Sequence, residues 1–151
     1  MKTNFFISTF ICLLLVAAAA PAQDILDAVK LNDLSRIRAI IEADPQAVHS
    51  KDKRDCTPLH WACDGGNAET VGLLIANGAK LMARDADGDT PLHWAAVKGN
   101  ASIVEILIEK GAAIESRNAG QQTPFMVVAR NTGNVEIGKL LIHHGADIHT
   151  L

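Results

Sequence analysis

Apolar residues follow three patterns along the chain. From Phe5 to Ala20 the run is almost uninterrupted; Lys2 precedes it and Ala20-Pro21-Ala22 closes it. Further on, apolar residues are spaced three and four apart: Val71, Leu74 and Ile75 in one segment, and Ile103, Val104, Leu107 and Ile108 in another. That spacing gathers them on one face and predicts amphipathic helices over a common core. A shorter helix is expected before each of these, after Thr57-Pro58 and Thr90-Pro91, and Gly- and Asn-rich breaks separate the pieces.

The pattern repeats. Thr57-Pro58-Leu59-His60-Trp61-Ala62 and Thr90-Pro91-Leu92-His93-Trp94-Ala95 are identical over six residues, 33 apart, and Thr123-Pro124-Phe125 opens a third copy another 33 on. Leu73-Leu74-Ile75-Ala76-Asn77-Gly78-Ala79 is matched in phase by Ile106-Leu107-Ile108-Glu109-Lys110-Gly111-Ala112. Leu140-Leu141-Ile142-His143-His144-Gly145-Ala146 follows one residue late, as does Gly133-Asn134, which places an extra residue near Thr132. Self-similarity at this period predicts a stacked solenoid.

Each unit reads as two helices and a turn. Thr57, Thr90 and Thr123 stand where hydroxyl side chains cap free backbone N–H groups. The prolines after them occupy the first helical position, which needs no N–H. Gly78, Gly111 and Gly145 suit the left-handed residue that ends the second helix. The stretch from Leu81 to Asp89, with its Asp87-Gly88 turn, predicts a projecting hairpin loop.

The amino-terminal segment changes the picture. A positive residue, an apolar run and small residues before a cleavage point are the order of a secretory signal peptide, here with cleavage after Ala22. The run falls short of the ~20 apolar residues a membrane span needs, and Cys12 does not fit a lipoprotein signal. Residues 23–151 then form the mature chain, exported to the periplasm or the cell exterior. Its formal charge shifts from −3 to −4 on losing Lys2, which argues against nucleic acid as partner. Only Trp61, Trp94 and Phe125 remain as aromatics, so the core is expected to be aliphatic. Cys56 and Cys63 are expected to stay reduced: seven residues of helix rise ~10 Å, beyond the ~7 Å a disulfide spans.

The hexapeptides, the Gly-Asn break, the leucine-rich second helix and the Asp-x-x-Gly turn together resemble the ankyrin repeat. Residues 52–84 and 85–117 match nearly throughout, 118–151 with departures, and 24–51 as a divergent first unit. The resemblance implies an all-α solenoid of about four helix-turn-helix repeats with hairpin loops. It also implies that His60 and His93 hydrogen-bond the turn and the neighbouring Thr rather than serve catalysis. The end units suit caps: Arg36 stands where Ile103 stands later, and Phe125-Met126 replaces Leu-His. Val135, Ile137, Leu140, Leu141 and Ile142 stay apolar, which leaves the last unit open to self-association, to a partner or to more chain.

Other chemistry is weakly supported. Asp85 to Asp89 fails as a calcium loop, since its sixth and twelfth positions are Thr90 and Ala96 rather than Gly and Glu; these acids read as a solvated hairpin. His143, His144 and His149 lack an acid or Cys at metal-site spacing, and no phosphate loop, nucleophile elbow or zinc-protease motif occurs. No metal or cofactor is expected, nor an enzyme. Trp61 and Trp94 fit either a binding face or the edges of the core.

The function expected is a non-catalytic module that binds an unidentified protein, with no membrane partner after cleavage. The alternative is an ankyrin segment of a larger exported protein that regulates an enzyme. By resemblance, partner contacts fall at variable loop and first-helix positions: Lys53, Arg54, Cys56 and Asp64; Ala86, Asp87, Asp89, Val97 and Lys98; and Gln122, Arg130 and Asn131.

Overall fold

A computed structural model of the chain describes residues 22–149. The expected leader lies outside these residues except for Ala22. The described chain holds eight α-helices and no strand: α1 (Ala22–Lys30), α2 (Leu34–Ala43), α3 (Pro58–Gly65), α4 (Ala68–Ala76), α5 (Pro91–Lys98), α6 (Ala101–Glu109), α7 (Pro124–Val127) and α8 (Val135–His143). A 3-10 turn, Pro45–His49, follows α2, and a π turn, Val128–Thr132, follows α7. The all-α solenoid expected from the repeat is the architecture observed.

The inner helices α1, α3, α5 and α7 stack side by side, each against the next, and an outer helix backs each of them. Thr57, Thr90 and Thr123 cap the inner helices, with proline next in each. Asp33, Asn67, Asn100 and Asn134 cap the outer ones, their side-chain oxygens accepting backbone N–H groups of the first turn. Each later outer helix closes the same way: Ala79, Ala112 and Ala146 donate their N–H to the carbonyls of Leu74, Leu107 and Leu141. Leu59, Leu74, Leu92, Leu107 and Leu141 are fully buried, each contributing ~1.5–3 kcal/mol of apolar burial. Ala62, Cys63, Ala95 and Ala96 fill the seam where inner helices pack.

The extra residue near Thr132 has a structural consequence. Instead of a loop insertion, it widens the end of the inner helix into one π turn, in which Gly133 N–H reaches back to Val128 O over 2.8 Å. The frame of α8 is thereby kept while the turn at Arg130 and Asn131 bulges outward; both are exposed.

The expected hairpins are closed turns without a strand ladder. Asp52, Asp85 and Asn118 each donate their N–H to the carbonyl four residues on, at 3.1, 3.1 and 3.0 Å. Successive loops are joined directly, Ala86 N–H to Arg54 O at 2.8 Å and Ala119 N–H to Asp87 O at 3.0 Å. The backbone bonds that a ladder would use within one loop go to its neighbour instead.

The two open ends carry opposite signatures. One outer-helix row runs Arg36, Thr70, Ile103 and Ile137; it is exposed only at Arg36, in the first described unit. Another runs Ile41, Ile75, Ile108 and Ile142; its last member is 44% exposed. In the first row Thr70 occupies an apolar position because its hydroxyl donates to Asn32 Oδ1 of the first unit, 2.7 Å away. Gly138 lies on the open face of α8, and a Cβ there would meet Phe125 at 3.8 Å, an ordinary contact. Gly138→Ala is expected to stabilise the chain by about 0.4–1 kcal/mol, read as a higher urea midpoint, because alanine lowers the backbone entropy lost on folding.

Candidate partner-binding groove

Each loop is held by a buried polar device that recurs with the repeat. His60 is fully buried: Nδ1 accepts the Thr57 N–H at 3.1 Å and lies 2.8 Å from its hydroxyl, while Nε2–H donates to Asp89 O in the next loop at 3.0 Å. His93 repeats this with Thr90 at 3.2 and 2.9 Å and with Gln122 O at 3.0 Å. Burial lowers both imidazole pKa values below the ordinary histidine value, so the rings are neutral at pH 7. The histidines bond the neighbouring Thr, as the family resemblance implied, and beyond that they join one unit to the next.

Asp52 and Asp85 are a second device, and the sequence reading missed it. Asp85 Oδ1 accepts the N–H groups of Asp87 and Asp89, at 3.0 and 2.9 Å, and Oδ2 accepts the Trp94 indole at 2.9 Å. Asp52 does the same for Arg54, Cys56 and Trp61. Asp85 is buried, not part of a solvated acidic run as expected: its carboxylate is the internal scaffold of the loop. Burial opposes ionisation of Asp52, but the Arg54 and Cys56 amides, the Trp61 indole and Lys30 outweigh it and hold the carboxyl below its usual pKa. The recurrence of Asp52, Asp85 and Asn118 at intervals of 33 was the available signal.

The tryptophans are half-buried. Their rings meet edge to face, with centroids 5.4 Å apart, and Lys30 Nζ lies 4.2 Å from the Trp61 ring centroid.

Six of the expected partner residues converge. Arg54, Asp64, Asp87, Asp89, Val97 and Lys98 line one open groove of about 250 Å³, floored in part by Trp94. Ion pairs between adjacent units run along it, Arg54 to Asp87 at 2.9 Å and Lys98 to Asp64 at 2.8 Å. Exposed pairs of this kind contribute ~0–1 kcal/mol, so they orient side chains more than they stabilise the fold.

The other expected residues lie apart. Lys53 is exposed on the loop outside the groove, and Arg130 and Asn131 are on the π turn. Gln122 is half-buried and structural: its N–H donates to Asn118 Oδ1 and its carbonyl accepts from His93. Cys56 must be corrected, because it is fully buried and offers a partner nothing; its thiol leans on Arg54 O, and burial with the nearby Asp52 charge raises its pKa to about 11. Cys63 is also buried and unpaired, its thiol pushed up by burial.

Gly88 governs the loop geometry. Its φ is +77°, and a Cβ there would stand 2.7 Å from the Ala119 amide nitrogen of the next loop. Gly88→Ala is expected to cost about 2 kcal/mol in a urea melt, since it combines left-handed strain with a backbone clash.

A second groove, of about 240 Å³, lies on the open face of the last unit among Phe125, Val128, Val135, Gly138 and Ile142. Among the described residues no cluster of three His, Cys, Asp or Glu is placed to hold a metal, and no helix is long and apolar enough to cross a membrane.

A family model for ankyrin repeats (three copies) matches residues 25–118 and 83–151. The acyl-CoA-binding domain-containing protein 6 homolog of Dictyostelium discoideum is 39% identical over 59 residues, 39% of this chain and 20% of that protein. Acyl-CoA-binding domain-containing protein 6 of Bos taurus is 38% identical over 53 residues, 35% of this chain and 19% of its own length. The match thus spans about a fifth of these curated relatives.

Proposed function

This chain belongs to the ankyrin-repeat family, and on that footing we propose that it is an exported, non-catalytic module that captures another protein in the groove between its second and third units. The observation that carries this reading is convergence: variable loop-tip and inner-helix positions from two units meet in one open groove of mixed charge. Ankyrin repeats indicate protein interaction, and extended surfaces of stacked units suit that role. Export is supported by the Lys2, apolar-run and Ala20-Pro21-Ala22 order.

The test is cross-linked capture from native cells with the chain tagged at its carboxyl end. The retained protein should begin at Gln23 by intact mass and lie in the periplasm or outside the cell. A cytoplasmic product retaining residues 1–22 would remove the export reading. With Lys53→Glu and Arg54→Glu together, recovery of the partner is expected to fall by roughly tenfold or more. The melt should stay within about 1 kcal/mol, because Arg54 and Asp87 are exposed. Undiminished recovery would reject this groove as the contact.

A second reading is favoured by the apolar groove on α7 and α8. It is an ankyrin segment that continues into further units of a larger protein, or that stacks on a second copy, and regulates an enzyme. Mass measured in solution and the full reading frame would decide between these.

A further inference from the structure

The solenoid builds the same aromatic site twice and fills it once. Trp61 and Trp94 stand 33 residues apart, and each indole N–H is held by the scaffold carboxylate of its own loop, at 3.0 and 2.9 Å. The two rings are therefore anchored alike, and Trp94 in addition meets the rings of Trp61 and His60 edge to face, with centroids 5.4 and 5.6 Å away. Over Trp61 lies the ammonium of Lys30, at the end of the inner helix of the preceding unit. Counting back from the outer-helix caps Asp33 and Asn67, the residue equivalent to Lys30 is Asp64. At the second site a carboxylate thus replaces the cation, and the space beside Trp94 is an open groove.

The charge around that groove complements what is missing. Asp64, Asp85, Asp87 and Asp89 face Arg54 and Lys98, four acids against two bases. The bases pair with Asp87 and Asp64, which leaves in excess the charge of Asp85, which holds the Trp94 indole, and of Asp89, whose Oδ1 accepts from Asn118. An aromatic floor with excess carboxylate beneath and beside it attracts a cationic side chain through ring quadrupole and Coulomb terms together. We propose that the groove at Trp94 receives a single lysine or arginine side chain of the partner protein, laid against the indole as Lys30 is laid over Trp61. This rests on the reading of the chain as an interaction module and names the chemistry its groove selects.

The test needs no knowledge of the partner. The chain has two tryptophans, so a nitrogen-15 spectrum of the full chain carries two indole N–H signals, assigned with Trp61→Phe. The probes are Nα-acetyl N-methylamides of lysine, arginine and norleucine, titrated in the millimolar range. Lysine and arginine probes are expected to move the Trp94 signal saturably, roughly fivefold further than that of Trp61, and norleucine to move neither. Lys30→Ala should make Trp61 respond as well. Asp64→Lys, which supplies the cation from within, should silence Trp94, while Lys98→Met should strengthen its response. A silent Trp94, an equal response of both rings in the unmodified chain, or a norleucine response equal to that of lysine would overturn the proposal. Its failure is distinct from that of the interaction reading: capture could persist with Trp94 silent, and cationic probes could bind Trp94 in a chain that captures no protein.

Discussion

Replacing His93 with alanine is expected to cost about 3–5 kcal/mol, the sum of a truncated buried side chain, an orphaned buried N–H and a lost bond between units. The ring is 1% exposed and joins two units. Its loss leaves the Thr90 N–H without its acceptor, 3.2 Å away in the intact chain, and removes the 3.0 Å bond to the Gln122 carbonyl, which then keeps only the Asn118 N–H of its own loop. Each buried group left unsatisfied costs ~1–3 kcal/mol, against a typical domain stability of ~5–15 kcal/mol. Since solenoid stability is largely carried between neighbours, the fourth unit should separate first. Urea unfolding followed by circular dichroism should therefore show a lower midpoint and a broader or split transition. Hydrogen exchange should show loss of protection around Asn118 to Gln122 before the first two units. A loss under about 1 kcal/mol would mean the imidazole is not what couples the units.

The molecule contains its own partial version of this experiment. In the fourth unit Met126 stands at the histidine position; its sulfur accepts the Thr123 N–H at 3.4 Å, and Thr123 Oγ1 accepts the Met126 N–H at 3.3 Å. Methionine thus keeps the local turn but cannot donate to a following loop, and among the described residues none follows. His93→Met should accordingly lose less than His93→Ala, because only the bond to Gln122 O disappears.

What could be read from sequence divides along the repeat. Helices, caps and the extra residue near Thr132 follow from local chemistry recurring at a fixed period, and local signals survive in a single sequence. The cross-unit chemistry does not lie close in sequence. Arg54 meets Asp87 at a separation of 33, Lys98 meets Asp64 at 34, and Lys30 reaches Trp61 at 31. These pairs become visible only when residues one period apart are treated as neighbours. Asp85 was misjudged for a related reason. It was weighed as one acid among Asp87 and Asp89, whereas its phase with Asp52, and with the tryptophan nine residues on, marks it as scaffold. Cys56 was misjudged because a loop position that varies need not point outward; here the thiol turns under the loop.

The same histidines make stability depend on pH. Burial lowers the folded-state pKa of His60 and His93, while the carbonyls of Asp89 and Gln122 and the nearby carboxylates of Asp85 and Asp89 pull the other way without prevailing. A depressed imidazole pKa means the unfolded chain binds protons that the folded chain refuses. Above the unfolded value of ~6.5 both states are neutral at these sites and the full stability is present. As pH falls below it, stability should drop by at most about 1.4 kcal/mol per pH unit for each ring, or about 2.7 for the pair. The decline continues until the folded pKa values are reached. The depressed Asp52 carboxyl adds a loss of the same sign, but only below the ordinary carboxyl value of 3.8, so the two windows separate. Urea midpoints at about pH 8.5, 7.5 and 5.5 would test this, with the upper two nearly equal and the lowest clearly reduced. His93→Met, which removes one titrating ring, should roughly halve the slope. An unchanged midpoint at the lowest pH would show that the buried rings accept protons without loosening their hold on the loops.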